Sequence, residues 1–370
     1  MPTPDQLPSP GWAPDIRRQL LQLIEEGKGK GLPVVFDFDN TIICGDIGEA
    51  TLSILVRDGL LTSGRIAEPL KVPFRDKDGQ EVVLESDLDI ISYYEALLEP
   101  TAHGDRDLTP MANAYAWIVE IMAGLSPADI TQATAEAFGG SRPMALEPIK
   151  ISKGLAPFPA PFLYPESLEL IAELKRNGFD IWIFSASNVW SVRWMIAHVI
   201  NPALGSAGVE RGIRADHVVG ISTLLQDTAG KLYKDTVLVR EEADYATLQQ
   251  AALGSFWLSS QFQFPVPTYS GKVACIWDAL QTRPYLAVGD SPGDLPMLKF
   301  SHNRLWIARM EKPRYQERLV GPVRSKEGRW LIQPVLSKST PGFLPNLDGP
   351  VGPELRVEVE ASRRILGAWF

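Results

Sequence analysis

Apolar residues follow two patterns along this chain, and their alternation predicts the fold. Continuous apolar runs are typical of strands buried on both faces of a parallel sheet, and they lie at residues 32–36, 179–184, 285–288 and 304–307. Between these runs apolar residues recur at helical spacing, as at Leu168, Ile171 and Leu174. Strands that alternate with helices predict an α/β fold with a doubly wound parallel sheet.

The pattern changes directly after the first predicted strand. From residue 46 to about residue 155 the spacing of apolar positions is mostly helical, and one short strand-like piece lies at 81–84. We therefore expect a mostly helical insertion, followed later by a hairpin of residues 218–223 and 231–237. The predicted divisions are a first part of the core domain at 12–46, a helical cap at 47–155, a second part of the core at 156–320 and a C-terminal extension at 321–370.

Composition narrows the class of protein. The chain has 370 residues, of which 45% are hydrophobic and 22% charged, as in ordinary soluble globular proteins. The net charge of −9 argues against nucleic-acid and anionic-membrane partners. No apolar run is long enough for a membrane helix, and the start lacks a secretory leader pattern. We therefore expect a cytoplasmic protein with no nucleic-acid or membrane partner, whose oligomeric state the sequence leaves open.

Polar residues that suit a reaction site follow the predicted strands. Asp37 and Asp39 come after the first strand, Ser185 after the second, and Asp290 and Asp294 after the third. Because the carboxyl ends of parallel strands meet at one edge of a sheet, these side chains are expected to converge there. Carboxylates buried in such a place require a cation or a chemical task.

A hard divalent cation fits this set of side chains. Carboxylate oxygens together with a phosphate are the ligands that Mg²⁺ prefers, and it retains several waters. Softer metals would require histidine or cysteine ligands, and the four histidines are scattered without metal-ligand spacing. The sequence therefore predicts Mg²⁺ as the cofactor.

Phosphoryl transfer explains why the carboxylates come in pairs. An ionised Asp37 can attack phosphorus and form an aspartyl-phosphate, and Asp39 can protonate the leaving alcohol and later activate water. Lys272 and Ser185 would then hold the phosphoryl oxygens, opposite the metal. The expected small-molecule partner is a phosphate ester.

These residues resemble, in order, the four signature motifs of the haloacid dehalogenase superfamily of phosphatases. Motif one corresponds to residues 37–41, motif two to 183–187, motif three to Gly271 and Lys272, and motif four to 289–294. The resemblance implies a Rossmann-like core and an aspartyl-phosphate mechanism. It implies that Asp37 is the nucleophile and Asp39 the acid/base. The metal ligands would be Asp37, the Asp39 carbonyl and Asp290, with Asp294 in support; the phosphate would be bound by Thr41, Ser185, Ala186 and Lys272.

The insertion after motif one is similar to the C1-type cap of the phosphoserine-phosphatase-like branch. A closer likeness is to bacterial phosphorylcholine phosphatases, carried by residues 91–94, 116–124 and 219–225. In such a cap, Asp46 or Glu49 would meet a cationic leaving group, and aromatic side chains would add cation–π contacts. For the two acids, a solvated first helical turn is the competing interpretation. For Tyr93, Tyr94 and Trp117, cap core is the default interpretation and an aromatic cage is the alternative.

The expected function is that of a Mg²⁺-dependent phosphomonoesterase, with phosphocholine or a similar amino-alcohol phosphate as the favoured substrate. Phosphoserine or another small metabolite phosphate is the first alternative. A catalytically silent binding protein that kept the fold is the second, and phosphoryl transfer to an acceptor other than water is the third.

Overall fold

The computed structural model describes residues 6–76, 78–98, 114–151, 154–155, 157–239, 250–324, 328–348 and 351–367. Its α-helices are α1 (Pro14–Gly27), α2 (Ile47–Arg57), α3 (Asp89–Leu98), α4 (Ala114–Glu120), α5 (Pro127–Gly139), α6 (Pro165–Arg176), α7 (Val189–Met195), α8 (Asn201–Ser206), α9 (Gln250–Leu253), α10 (Ser270–Leu280), α11 (Leu295–Phe300), α12 (Pro313–Arg324) and α13 (Arg356–Leu366). No helix in these ranges is long and apolar enough to span a bilayer.

The strands are short and are spread over the whole chain. They are β1 (Pro33–Phe36), β2 (Ile43–Cys44), β3 (Phe74–Arg75), β4 (Glu81–Val82), β5 (Lys150–Ile151), β6 (Gly154–Leu155), β7 (Phe162–Leu163), β8 (Asp180–Asn188), β9 (Val218–Ile221), β10 (Thr223–Gln226), β11 (Leu232–Tyr233), β12 (Trp257–Phe262), β13 (Leu286–Gly289), β14 (Asn303–Arg309), β15 (Arg329–Leu336) and β16 (Gly342–Phe343).

A seven-stranded sheet forms the centre of the molecule, with the strand order β16-β15-β14-β13-β1-β8-β9. Every neighbouring pair is parallel except β15 and β16, which are antiparallel. From β1 the chain first builds outward through β8 and β9, and it later returns to the other side of β1 with β13. The predicted α/β fold with a doubly wound parallel sheet is confirmed, and β1 lies at the switch point of the topology.

Both faces of β1 are buried, as its continuous apolar run predicts. Val34 and Phe36 belong to one hydrophobic core, which includes residues of α1, α6 and α7. Val35 points to the opposite face and joins a second core with residues of α10, α11, α12 and α13. Because successive side chains of a strand alternate between faces, one short strand ties both helical layers together.

The chain leaves the core for the helical insertion and returns to the core through two adjacent strands. The outgoing strand β2 pairs antiparallel with the returning strand β7, and helices α2 to α5 lie between them in the sequence. The buried hydroxyl of Thr51 in α2 lies 3.0 Å from that of Thr134 in α5 and 3.2 Å from that of Ser191 in α7. The amide of Asn188 donates to the Ser191 hydroxyl at 2.8 Å. We call these four side chains the hydroxyl network; it joins the insertion to the core.

A second, smaller sheet follows β9, with the order β11-β10-β12. The predicted hairpin is wrong in its first strand, since Val218–Ile221 extends the central sheet and the hairpin itself pairs β10 with β11. Leu258 of β12 accepts a hydrogen bond from the Gly124 amide and donates one to the Leu125 carbonyl, each at 2.8 Å. Main-chain hydrogen bonds therefore connect this sheet to the helical insertion.

The last part of the chain contributes to the central sheet. Strands β15 and β16 lie within the predicted C-terminal extension, yet β15 pairs with β14 along seven residue pairs. The buried side chain of Gln333 accepts from the Ala13 amide at 2.9 Å and donates to the Gly11 carbonyl at 3.1 Å. These bonds connect β15 to the N-terminal segment. The domain boundaries themselves stay a prediction.

Candidate active site

The predicted site residues lie at the carboxyl edge of the sheet, around the switch point. Asp37 directly follows β1, Asp290 directly follows β13, and Ser185 lies in β8 on the other side of β1. Lys272 lies in the first turn of α10, and Asp294 lies just before α11. All five side chains are buried. Elements far apart in the sequence thus place these groups in one region.

Three carboxylates and two cations form the centre of this region. The Lys272 Nζ atom lies 2.5 Å from Asp37 Oδ1 and 2.6 Å from Asp294 Oδ1. The Arg309 Nη1 atom lies 3.2 Å from Asp290 Oδ2. Each of the three aspartates offers one oxygen such that all three oxygens lie within 4.8 Å of one another. We call Asp37, Asp290 and Asp294 the core carboxylates.

Close approaches of the backbone explain why glycines precede these residues. A Cβ atom on Gly289 would lie 2.6 Å from the Asp294 Cβ atom, and one on Gly271 would lie 1.9 Å from the Val266 carbonyl oxygen. Side chains at either position would push Asp294 or the start of α10 out of place. Asp294 Oδ2 then accepts hydrogen bonds from the Asp290 amide at 3.2 Å and the Ser291 amide at 3.0 Å. The loop is therefore fixed by its own main chain.

The electrostatics of the core carboxylates favour the binding of a further cation. Burial and the neighbouring Asp294 raise the pKa of Asp37 although Lys272 opposes them. Burial raises the pKa of Asp290 in the same way, against the effect of Arg309. Both shifts mean that ionisation is disfavoured until more positive charge arrives. An all-oxygen set of three carboxylates fits Mg²⁺ by ligand type.

Thr41 lies between two of the core carboxylates. Its buried hydroxyl oxygen is 3.4 Å from Asp37 Oδ2 and 3.4 Å from Asp290 Oδ1. The preceding Asn40 has a positive φ of 55°, and its amide donates to the Gly45 carbonyl at 3.0 Å. This tight loop turns the chain directly after β1 and keeps Thr41 beside Asp37.

The carboxylate of Asp39 makes a different set of contacts from that of Asp37. It accepts hydrogen bonds from the Ile47 amide at 2.8 Å, the Ser187 hydroxyl at 2.7 Å and the Ser185 hydroxyl at 3.2 Å. Burial, together with the nearby Asp46, raises its pKa well above the usual range. Ser185 thus contacts Asp39, and sequence reasoning missed Ser187. A serine two residues on in the same strand was the available signal.

Asp46 and Glu49 are half-buried, in contrast to the solvated helical turn that was the competing interpretation. Asp46 caps α2 by accepting from the Glu49 amide at 2.9 Å. Burial and Glu49 raise the pKa of Asp46 to about 8, and burial and Asp39 raise that of Glu49 to about 7. Both line a small pocket together with Ala186 and Ser187. We call Asp39, Asp46 and Glu49 the cap-side carboxylates.

The aromatic residues of the insertion divide into two groups. Tyr94 lines the small pocket, and its hydroxyl donates to Glu49 Oε1 at 3.3 Å. Tyr93 and Trp117 are buried, and they donate to the carbonyls of Val72 and Leu70 within the insertion. The prediction of cap core therefore holds for these two. Tyr115, which sequence reasoning missed, also lines the pocket.

A cavity of about 540 Å³ opens beside the cap-side carboxylates. One part of its wall comes from the motif-one loop and α2, and another from the insertion. The rest comes from the ends of β14 and β15, with Arg309, Ser337 and Lys338. Asp46 and Glu49 line both this cavity and the small pocket.

Arg309 is the main site residue that sequence reasoning missed. It ends β14, and it bonds Asp290, Glu311 at 3.3 Å and Ser337 at 3.4 Å. The rule that charged residues at the carboxyl ends of parallel strands converge would have found it. The predicted strand, however, ended two residues earlier, at residue 307.

Comparison with known proteins identifies the fold. No family model matches the chain, and no curated protein matches it. A conserved protein of unknown function from Anaerococcus prevotii, whose structure is solved, is 20% identical, covers 90% of this chain and 96% of its own, and has a TM-score of 0.57. A protein of unknown function from Bordetella pertussis is 14% identical, with 81% of this chain and 96% of that one aligned and a TM-score of 0.43. A substrate-bound phosphoserine phosphatase is 13% identical, with 79% of this chain and 91% of that one aligned and a TM-score of 0.38. The first likeness shows a shared fold, and the other two are too distant to add to it.

Proposed function

We propose that this protein is a Mg²⁺-dependent phosphomonoesterase of the haloacid dehalogenase type. The observation that carries the proposal is the buried cluster of Asp37, Lys272, Asp290 and Asp294 at the end of β1, with Asp39 held separately beside it. The carboxylates of Asp37 and Asp39, which are two residues apart in the sequence, thus have different surroundings. Pairs of titratable groups with different environments are typical of acid–base and nucleophile assignments.

Asp37 is the proposed nucleophile. Lys272 contacts Oδ1 at 2.5 Å, and Thr41 lies beside Oδ2. In the proposed reaction an oxygen of Asp37 forms a bond to phosphorus while the bond to the leaving alcohol breaks, which gives an aspartyl-phosphate. The Lys272 ammonium would neutralise charge on the phosphoryl oxygens as it develops.

Asp39 is the proposed acid/base. Burial raises the pKa of this carboxyl group and so favours its protonated form, and that proton would pass to the leaving oxygen. The resulting carboxylate would then take a proton from the water that hydrolyses the aspartyl-phosphate. The hydrogen bonds from Ile47, Ser185 and Ser187 fix the carboxyl group in position for both steps.

Asp37, the Asp39 carbonyl and Asp290 are the proposed ligands of Mg²⁺, with Asp294 in support. When bound, the ion would supply Lewis-acid stabilisation of the charge on the phosphoryl oxygens. Lys272 and Arg309 hold the core carboxylates together, and the raised pKa values of Asp37 and Asp290 give a reason for a cation to bind there.

The proposed leaving group carries an ammonium, as in phosphocholine or another amino-alcohol phosphate. Asp46 and Glu49 line the cavity of about 540 Å³, which has room for such a group, and they also line the small pocket that holds Tyr94 and Tyr115. Carboxylates and aromatic faces are the groups that recognise ammonium ions. Phosphoserine, which also bears an amino group, is the alternative within the same chemistry.

The test is hydrolysis of p-nitrophenyl phosphate and of a panel of cationic, neutral and anionic phosphate esters. We expect turnover with Mg²⁺, loss of turnover with EDTA, and recovery when Mg²⁺ is added back. Asp37→Asn should reduce turnover by at least about 10⁴-fold while the circular dichroism spectrum and Tm stay near those of the wild type. An active Asp37→Asn protein would exclude the covalent mechanism. Binding of esters without any hydrolysis would favour a silent binding protein instead.

A further inference from the structure

The loop after β1 is bonded to the segment through which the chain returns from the helical insertion. Strands β2 and β7 pair antiparallel, and the contact continues beyond both strands. The Tyr164 amide donates to the Ile42 carbonyl at 3.1 Å, and the Ser167 hydroxyl donates to the Thr41 carbonyl at 2.7 Å. This row of hydrogen bonds therefore ends at Thr41, beside the core carboxylates.

The last of these bonds is made by a side chain. Ser167 lies in the first turn of α6 and is buried. Serine hydroxyls near helix ends usually bond to main-chain groups close by in the sequence. The Ser167 hydroxyl bonds instead to a residue 126 positions earlier in the chain. Its contact therefore stabilises the loop after β1 rather than the start of α6.

Thr41 is held at both its main chain and its side chain. Ser167 binds its carbonyl, and its buried hydroxyl oxygen lies 3.4 Å from Asp37 Oδ2 and 3.4 Å from Asp290 Oδ1. A buried carbonyl that loses its donor is costly, and the peptide group can lower that cost only by turning toward another donor. Such a rotation would displace the Thr41 hydroxyl from the two carboxylates.

We propose that Ser167 is a positioning residue for the reaction, which keeps the Thr41 hydroxyl between Asp37 and Asp290 by binding the Thr41 carbonyl. This inference rests on the proposed function, in which Asp37 attacks phosphorus and both aspartates bind Mg²⁺. Ser167 acts through the main chain of Thr41 and takes no part in the chemistry. Its contribution is the direction of the carboxylates, on which attack at phosphorus depends.

The first test compares hydrolysis of p-nitrophenyl phosphate by the wild type, Ser167→Ala, Thr41→Val and the double variant. In Ser167→Ala we expect kcat to fall by about 10-fold and KM to stay within about 2-fold, because the orientation of the nucleophile changes and substrate contacts do not. In the Thr41→Val background, Ser167→Ala should lower kcat by less than about 2-fold, since both changes act on one hydroxyl. Effects that multiply in the double variant would overturn the proposal.

Ser301→Ala is the matched control for the loss of a buried hydroxyl. The Ser301 hydroxyl donates to the Met297 carbonyl at 2.9 Å and is buried. Ser301 precedes β14, whose carboxyl end carries Arg309, so it lies at the amino edge of the sheet, away from the site. We expect both serine variants to lower Tm to a similar extent, while kcat falls only in Ser167→Ala. An equal loss of kcat in Ser301→Ala would overturn the specific role of Ser167.

The second test needs no turnover, because calorimetry measures the binding of Mg²⁺ in the absence of any ester. We expect the Kd for Mg²⁺ to rise by about 10-fold in Ser167→Ala, without a further rise when Ser167→Ala is added to Thr41→Val. An unchanged Kd and kcat in Ser167→Ala would overturn the proposal, as would a wild type that binds no Mg²⁺. A wild type that binds Mg²⁺ but hydrolyses no ester would refute the proposed function alone, and the comparison of Kd values would then decide the role of Ser167.

Discussion

The core carboxylates and the cap-side carboxylates lie in the same site but are held in different ways. Each core carboxylate contacts a cation, since Lys272 binds Asp37 and Asp294, and Arg309 binds Asp290. None of the cap-side carboxylates has a cation within 4 Å in the described part of the chain. They are stabilised instead by main-chain amides and by the hydroxyls of serine and tyrosine.

Burial raises the pKa in both groups, and the difference lies in what opposes the rise. For Asp37 and Asp290 the fixed cations Lys272 and Arg309 oppose it, which suits the proposed nucleophile and metal ligands. For the cap-side carboxylates hydrogen bonds from neutral groups are the main opposing effect, which suits the proposed general acid and a pocket for a cationic ligand. The two groups should therefore respond in opposite directions when a charge is removed, and the variants below test that contrast.

Removal of the core cation should have the largest effect. Lys272→Met leaves Asp37 and Asp294 buried without their cation, so we expect a loss of about 3–5 kcal/mol in the free energy of unfolding. Turnover of p-nitrophenyl phosphate should fall by at least about 10³-fold. Urea denaturation and steady-state kinetics measure the two quantities. Lys272→Arg is the control that keeps the charge, and a Lys272→Met variant as stable as the wild type would contradict the pairing.

Neutralising Asp39 should separate activity from stability. Asp39→Asn should lower kcat by about 10²–10⁴-fold because the proton donor is lost. The free energy of unfolding should not fall, since the amide keeps the shape of a carboxyl group that has no cation to pair with. Urea denaturation measures the free energy of unfolding of Asp39→Asn. A large loss of stability in this variant would contradict the distinction between the core carboxylates and the cap-side carboxylates.

Neutralising the pocket acids should affect cationic esters most. In Asp46→Asn or Glu49→Gln we expect kcat/KM for phosphocholine or phosphoethanolamine to fall by about 10-fold, because the ammonium loses one charged partner. The loss for neutral p-nitrophenyl phosphate should be smaller. Equal losses for both kinds of ester would mean that these acids do not recognise the leaving group.

The pH dependence of stability should show the smallest effect. Folding raises the pKa of Glu49 to about 7, so between its unfolded and folded values the folded protein binds more protons than the unfolded chain. The contribution of Glu49 to the free energy of unfolding therefore falls as pH rises from about 4.3 to about 7. We therefore compare the free energy of unfolding of Glu49→Gln with that of the wild type at both pH values. From pH 5 to pH 8 this difference should change by at least about 1 kcal/mol in favour of the variant. A wild type that gains stability relative to the variant on going from pH 5 to pH 8 would contradict the shift.

The sequence was sufficient for the four central strands of the sheet and for the meeting of the motifs at its edge. Strands β1, β8, β13 and β14 each contain a mostly apolar run, and that pattern does not depend on distant parts of the chain. Strand β15 was not predicted because Gln333 and Pro334 interrupt its apolar pattern. Gln333 is satisfied by main-chain groups more than 300 residues away, which local patterns cannot show.

Side-chain directions within the site were beyond the sequence for the same reason. The spacing of Asp37 and Asp39 does not reveal that one contacts Lys272 and the other the serines of β8, since both partners are brought in by the tertiary fold. The polar contacts of Arg309 with Asp290 and Ser337 likewise join three different strand ends. Convergence at the sheet edge was predictable, whereas the pairing of charges there was not.

The hydroxyl network has a consequence for how a product leaves. Thr51 and Thr134 cannot move away from Ser191 without breaking buried hydrogen bonds, each of which contributes on the order of 1 kcal/mol. Hinged separation of the helical insertion at this seam is thus disfavoured in the proposed catalytic cycle. Alcohol and phosphate would then leave through the cavity of about 540 Å³. A compound lodged in that cavity would slow release and entry alike without touching Asp37, Lys272 or Asp290, which do not line it.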